Sequence, residues 1–335
     1  MLPHSARSGL KKRSNQCLCL SVLCHCQCLC RCSLSLSLSL SLSLSQVYAS
    51  AINRADTLQR KGLYPPPPGA SAVLGLEAAG IIEAIGNDCE LAFKVGDKVM
   101  SLLDGGGNAD FVVTDERLLM PVPAAYAAGW ELAAATPETW LTAFQLLHLL
   151  AEVTDGDTVL VHAGGSGVGT AATQLAVAAG ATVIVTAGSQ EKLDVAARLG
   201  ASVGINYKTD DFSEKVLEAT AGKGVSVILD CVGGSHWEKN LASIAVDGRW
   251  VLYGLMGGKE AVGPALGGIL RKRIRLMGTT LRSRSIAYKV GRRRESTRDS
   301  GGGAAGVVSD RARFTDRRFY VCCGGRVKTA ASTVE

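Results

Sequence analysis

Hydrophobic positions in the middle of the chain fall into short runs separated by helix-like segments. Val159–Val161 is apolar and β-branched. Gly164, Gly165, Gly167 and Gly169 follow it, and then a helical pattern over Thr170–Ala179. Thr182–Thr186, Val203–Asn206, Val225–Leu229 and Trp250–Tyr253 repeat the strand pattern, and Lys192–Leu199 reads as a helix stopped by Gly200. Short continuous apolar runs suit strands buried on both faces. Strands alternating with helices at this spacing predict an α/β fold built on a doubly wound parallel sheet, with ligands bound beyond the carboxyl ends of its strands.

The order strand, glycine turn, helix carries the first chemical signal. A helix begun at such a turn directs free backbone N–H groups and a partial positive charge at whatever lies over it. A pyrophosphate meets that need, and glycines let it approach the backbone. Gly164, Gly165, Ser166, Gly167, Val168 and Gly169 are therefore candidate cofactor-binding residues, the alternative being an ordinary tight turn. Past the second strand, an acidic residue would bind a free ribose 2′-hydroxyl. This chain has Gly188, Ser189, Gln190, Glu191 and Lys192 there, so Ser189 and Lys192, with Tyr207 from the next strand end, suit a 2′-phosphate. That pattern favours NADPH over NADH; the competing reading makes Lys192 a solvated helix residue. Gly233, Tyr253 and Gly254, at the ends of later strands, complete the candidate cofactor set.

Several motifs in order carry a family resemblance. They are Asn53-Arg54-Ala55-Asp56, Gly75-Leu76-Glu77-Ala78-Ala79-Gly80, Lys94-Val95-Gly96-Asp97, Pro137-Glu138-Thr139-Trp140-Leu141-Thr142-Ala143, the glycine turn, and Asp230-Cys231-Val232-Gly233-Gly234. From Val47 to about Lys289 the chain resembles the medium-chain dehydrogenase/reductase superfamily, and within it the zinc-free, zeta-crystallin-like NADPH:quinone oxidoreductases. The resemblance implies a GroES-like, β-rich catalytic domain over 47–124, here incomplete, and an NADP-binding Rossmann domain over 125–289. It implies an active site in the cleft between them, hydride transfer from NADPH to a quinone or related enone, a cytoplasmic setting and a homodimeric parent.

The resemblance also names catalytic candidates. Asn53 and Asp56 match an Asn-x-x-Asp motif that orients the pocket. Tyr64, ahead of Pro65–Pro68, matches a tyrosine near the nicotinamide, the alternative being a loop aromatic packed on polyproline. Thr142 stands where the family has a cofactor-contacting threonine. Glu77 reads as a structural hydrogen-bonding carboxylate, Asp97 as a turn residue, and His148, His162 and His236 as packing or surface residues. Zinc enzymes of the superfamily carry a His where this chain has Leu76, which cannot ligate a metal. Between the tails only Cys89 and Cys231 offer thiols, so no metal is expected.

Both ends depart from the pattern. Residues 1–46 hold seven cysteines between Cys17 and Cys32, then an uninterrupted Ser-Leu alternation from Ser33 to Ser45. Three readings compete: a soft-metal-binding tail, a targeting peptide behind Lys11-Lys12-Arg13, and translated non-coding sequence, the preferred one. Residues 290–335 are basic and glycine-rich without clear period, consistent with a retained intron or shifted frame, or with a basic tail for an anionic partner. Both tails are expected to lack a packed core. With the flanking catalytic-domain strands taken to be missing, the second function reading is a catalytically inactive dinucleotide-binding product. The net charge of +6 owes much to the tails. It therefore argues for neither nucleic acid nor an anionic membrane, and no long apolar run reads as a membrane helix.

Overall fold

The computed structural model describes residues 41–126, 129–261, 263, 265–290, 320–323 and 326–329. Residues 1–40 and 291–319, most of both expected tails, lie outside the described residues.

An antiparallel five-stranded sheet comes first. Its strands are β1 (Leu42–Ser50), β2 (Glu77–Ile85), β3 (Lys98–Leu102), β4 (Phe111–Asp115) and β5 (Leu119–Pro121), in the order β4-β1-β2-β3-β5. Helix α1 (Arg54–Arg60) leaves β1, and α2 (Trp130–Ala134) packs under the sheet through Ala133 and Ala134 against Ala79 and Met100. A six-stranded sheet follows, every neighbouring pair parallel. Its strands are β6 (Thr158–Val161), β7 (Thr182–Ala187), β8 (Val203–Asn206), β9 (Val225–Asp230), β10 (Ile244–Leu252) and β11 (Arg275–Gly278), in the order β11-β10-β9-β6-β7-β8. Tyr320–Cys323 and Arg326–Thr329 pair antiparallel as a separate two-stranded sheet.

The parallel sheet is covered on both faces, and strand alternation assigns each side chain to one of them. Val159, Val161, Val183, Val185, Val227 and Leu229 meet α3 (Pro137–Phe144), α4 (Gly167–Ala178) and α5 (Gln190–Arg198). Leu160, Ile184, Ile228 and Trp250 meet α6 (Phe212–Ala219) and α7 (Trp237–Ser243) through Phe212, Val216 and Trp237. Two apolar faces explain why these strands read as continuous hydrophobic runs. Strand β10 begins six residues before the expected Trp250, because Ile244 pairs with Val225 across a register irregularity ahead of Arg249. Strand β11 and helices α6 and α7 were not anticipated.

Residues 1–46 were expected to lie outside any packed core; β1 corrects this for 42–46. The end of the Ser-Leu tract is an interior strand, paired to β4 from Leu42 to Gln46 and to β2 from Ser43 to Ser50. Its facing is the reverse of what hydrophobicity would choose. Ser43 and Ser45 are buried, whereas Leu42 and Leu44 are only partly so. Register shifts between Leu44 and Ser45 and between Val47 and Ala49 accommodate the strand. The Ser45 hydroxyl finds no partner and borders a cavity lined by Val47, Ala78, Val99, Val112 and Leu119. Ser45→Val should therefore stabilise the fold by about 1–2 kcal/mol, by removing an unpaired buried hydroxyl and adding apolar contact. A denaturant melt reads this as a higher midpoint at constant slope; a lower midpoint would mean that water satisfies the hydroxyl.

Candidate functional site

The carboxyl ends of β6, β7 and β8 gather most of the expected dinucleotide residues. After β6, Ala163 takes a left-handed φ of 53° and the chain turns through Gly164 and Gly165 into α4. Ser166 is the N-cap, its Oγ accepting from the Gly169 N–H at 3.0 Å. The turn is tight enough to exclude side chains. A Cβ on Gly169 would stand 2.3 Å from the Ala163 carbonyl oxygen, and one on Gly165 would stand 2.8 Å from the Lys192 side chain. Lys192 on α5 thus lies across the glycine turn. Tyr207, following β8, places its hydroxyl 2.8 Å from where a Gly188 Cβ would be. Ser189 opens α5 without spending its hydroxyl on a capping bond. Glycine turn, hydroxyl, lysine and phenol are brought to the carboxyl ends of neighbouring strands, and the positions a Cβ would take are already filled by the Ala163 carbonyl, Lys192 and Tyr207, which is why glycine is required there.

Gly233, Tyr253 and Gly254 sit on two neighbouring loops. The loops after β9 and β10 are zipped by Gly257 N–H to the Val232 carbonyl (2.7 Å), Met256 N–H to the Cys231 carbonyl (3.1 Å) and Gly234 N–H to the Gly258 carbonyl (3.0 Å). Asp230 anchors this pair. Its Oδ1 accepts from the N–H groups of Val232 (2.7 Å) and Gly233 (3.0 Å), and its Oδ2 from Asn240 Nδ2 (3.0 Å) and Trp250 Nε1 (3.1 Å). Asn240 passes the chain on, because its Oδ1 lies 2.7 Å from His162 Nε2. With its amide nitrogen donating to Asp230, Asn240 must accept here, so His162 carries its proton on Nε2 and takes the Thr186 hydroxyl on Nδ1 (2.9 Å). Burial lowers the His162 pKa to about 4, so its imidazole stays neutral above that pH. His162, expected as a packing residue, is instead the centre of a buried polar network.

On the antiparallel sheet, Asn53 and Asp56 act on one another and on the backbone. Asp56 Oδ2 accepts from the Asn53 N–H and its Oδ1 from the Gly75 N–H, both at 2.8 Å. Asn53 Nδ2 donates to Glu77 Oε1 at 2.7 Å, and Glu77 Oε2 accepts from the Glu138 N–H at 2.8 Å. This chain of bonds ties α1 and β2 to the start of α3 and so joins the two sheets. Asp97 makes the expected turn, accepting from the Lys94 N–H at 3.0 Å. Leu76 is fully buried, and among the described residues no cluster of His, Cys, Asp or Glu is placed to hold a metal ion.

Tyr64 faces Arg282, whose guanidinium carbon is 5.4 Å from the ring centroid. Thr142 lies mid-way along α3. Arg282 and Glu138, given no role from the sequence, stand beside Tyr64, and Lys289 and Gln145 join the same 281–290 segment. Arg282 donates through Nε and Nη2 to the Asp104 carbonyl (2.9 and 2.7 Å) and through Nη2 to Gln59 (2.8 Å). Lys289 donates to the Asp104 carboxylate and to the Arg282 carbonyl. Gln145 Nε2 donates to the Tyr288 hydroxyl at 2.9 Å. Burial raises the Glu77 carboxyl to about 7, against the pull of its two hydrogen bonds. Burial, then the neighbouring Glu77 and Asp56, raises Glu138 to about 8. The signal that could have revealed Glu138 is the one acid of α3, directly behind Pro137, with Thr142 and Gln145 repeating its face.

Comparisons with known proteins agree with this architecture. Residues 43–124 match the alcohol dehydrogenase GroES-like domain, and residues 167–293 match a family described as zinc-binding dehydrogenase. The solved quinone oxidoreductase of Escherichia coli in complex with NADPH is 31% identical, with a TM-score of 0.66 over 77% of this chain and 78% of that one. The CurK enoyl reductase is 28% identical, with a TM-score of 0.64 over 82% of this chain and 79% of that one. Among curated proteins, erythronolide synthase EryA2 of Saccharopolyspora erythraea is 43% identical over 132 residues, which are 39% of this chain but only 3% of that protein. Among the described residues no helix is long and apolar enough to cross a membrane. With its GroES-like sheet, its parallel dinucleotide sheet and whole-fold likeness to quinone oxidoreductases, the chain belongs to the medium-chain dehydrogenase/reductase superfamily, in its quinone oxidoreductase-like group.

Proposed function

We propose that this chain is an NADPH-dependent reductase that passes hydride to a quinone or related conjugated carbonyl without a metal ion. The observation that carries the cofactor choice is the set at the ends of β7 and β8. Lys192 crosses Gly165, Tyr207 covers Gly188, and the Ser189 hydroxyl is left out of the cap. A cation and two hydroxyls suit a 2′-phosphate, and the first acid after β7, Glu191, comes only in the first turn of α5 and not at the strand end. In this reading the segment from Gly164 to Gly169 cradles the pyrophosphate, while Gly233, Tyr253 and Gly254 border the rest of the dinucleotide. Asn53 and Asp56 hold the pocket in shape, and Tyr64 and Thr142 flank the nicotinamide. The bound dinucleotide supplies the hydride; the protein positions the acceptor and excludes water. Leu76 stands in the metal-ligand position, which is why the reading is metal-free despite the family's zinc label. Cys89 and Cys231 are unbridged, consistent with a reducing, cytoplasmic setting.

The test is cofactor preference. Replacing Ser189 by Asp and Lys192 by Met should weaken NADPH binding by about tenfold or more, the loss of charge-assisted contacts of about 1.5–3 kcal/mol, and leave NADH binding nearly unchanged. Nucleotide fluorescence titrations read both. Equal affinity of the unaltered chain for the two cofactors would end the assignment.

A second reading, a dinucleotide-binding protein without turnover, is favoured by one observation. The catalytic-domain sheet buries the Ser45 hydroxyl without a partner, whereas the buried polar side chains of the parallel sheet, Thr186 and Asp230, are hydrogen-bonded. NADPH binding with no quinone reduction at any pH would select it.

A further inference from the structure

Three buried polar atoms have no hydrogen-bond partner: Glu138 Oε2 and Arg282 Nη1, both on residues beside Tyr64, and Gln145 Oε1. Two of them lie on one helical face. Glu138, Thr142 and Gln145 follow the i, i+4, i+7 spacing along α3 and the turn that continues it. The bond from Gln145 to Tyr288 shows that this face meets the 281–290 segment, which carries Arg282 and Lys289. An acceptor-rich stripe therefore opposes a free guanidinium N–H beside an aromatic ring. Leaving such groups unpaired inside a protein is costly, and a ligand that satisfies them recovers the cost.

We propose that the Glu138 carboxyl, facing Arg282 between α3 and the 281–290 segment, hands a proton to the oxygen of the acceptor. The proposal rests on the reductase reading above. Hydride from the bound dinucleotide adds to the conjugated acceptor, and the displaced electron pair settles on the carbonyl oxygen. That oxygen takes the proton from Glu138 Oε2, the O–H bond of the carboxyl breaks, and solvent reprotonates the carboxylate. NADPH is oxidised, and the acceptor is reduced by one hydride and one proton.

The other ionisable groups facing Glu138 are already committed. Both Asp56 oxygens accept backbone N–H groups. Glu77 accepts from Asn53 on one oxygen and from the Glu138 N–H on the other. Lys289 is held by the Asp104 carboxylate and the Arg282 carbonyl. Tyr64 holds its proton more tightly than usual, because its phenol is buried and the Glu138 charge reinforces this against the pull of Arg282. Arg282 is held by the Asp104 carbonyl and Gln59. Among these groups Glu138 alone combines an unpaired oxygen with a proton retained at neutral pH, and Lys289 and Arg282 favour the carboxylate it becomes.

The experiment uses the full chain with NADPH and 2-methyl-1,4-naphthoquinone between pH 6 and pH 10. Wild type should lose turnover above about pH 8 and slow measurably in D2O. E138Q should bind NADPH within about twofold of wild type, yet turn over about a hundredfold more slowly, with no alkaline limb. E138D, which keeps an acid, should be slow but retain the limb. An infrared difference spectrum at pH 7 should show E138Q lacking one protonated carboxyl, a readout independent of turnover. Wild-type turnover and limb in E138Q, or no carboxyl lost from its spectrum, would overturn this proposal alone. No quinone reduction by wild type at any pH, with NADPH bound, would overturn the reductase reading and this proposal together.

Discussion

Asp230→Ala is expected to lower the thermal midpoint by roughly 10–15 °C, the largest effect of any single side chain described. The reason is the number of donors it serves. Two backbone N–H groups, the Asn240 amide and the Trp250 indole all end on one fully buried carboxylate. Removing it leaves four donors unpaired at about 1–3 kcal/mol each, partly relieved by relaxation and entering water, for a net loss of about 4 kcal/mol. In a folded region of this size each kcal/mol shifts the midpoint by about 2–4 °C. Asp230→Asn keeps the shape but turns a donor toward donors, so it should recover only part of the loss. Glu218, whose pair with Lys215 lies open to solvent on α6, is the control; its replacement by Ala should leave the midpoint nearly unchanged. A calorimetric scan in which Glu218→Ala lowered the midpoint more than Asp230→Ala would refute this account of the network. The damage should also reach the site, because the loops carrying Gly233, Tyr253 and Gly254 hang from the same carboxylate.

The second large effect is a pH dependence of stability set by His162, Glu77 and Glu138. The unfolded chain protonates a histidine near pH 6.5, whereas burial keeps the folded imidazole neutral down to about 4. Between those values the unfolded state binds the extra proton. Stability contributed by neutral His162 is therefore fully present above pH 6.5 and is lost as pH falls toward 4, by about 3 kcal/mol in all. Glu77 and Glu138 act in the opposite sense. Their folded carboxyls stay protonated to about 7 and about 8, so their contribution is present below pH 4.5 and is lost as pH rises through those values. Two carboxyls outweigh one imidazole between pH 4.5 and 6.5, so the summed contribution should fall as pH rises through that window, with His162 making the fall shallower. Urea melts at half-unit pH steps would trace it, with His162→Gln steepening the fall and E138Q flattening it. A slope left unchanged by His162→Gln would refute the part assigned to its imidazole.

The parallel sheet was readable because burial on both faces leaves a strong trace. Val159–Val161, Thr182–Thr186 and Val225–Leu229 are runs that only a strand between two helical layers keeps so apolar. The glycine turn was readable for a local reason: strand, φ-permissive residues and helix are consecutive. Arg282 and Lys289 were not legible, because their meaning lies in meeting Tyr64 and Asp104, far away along the chain. Glu138 was printed within a recognised motif, yet its buried, unpaired oxygen is a property of packing. His162 looked solitary because its partners, Thr186 and Asn240, arrive from two other strand-helix units. The Ser-Leu tract misled in the other direction. Low complexity argued against structure, yet sheet position is set by the residues it leads into, Val47 to Ser50, whose pairing to β2 carries the preceding residues along.

That last strand has a hereditary consequence. Leu42 to Ser45 belongs to a run in which every second residue repeats from Ser33 onward. Loss of one Leu-Ser pair would slide Leu40 and Ser41 into the vacated places, and gain of a pair would push the excess outward. Either change presents β2 and β4 with the same side chains on the same faces. A change of one residue would exchange the faces throughout. The sheet is thus blind to expansion and contraction of the tract in steps of two, and chains differing in tract length should share one catalytic-domain fold and one melting midpoint.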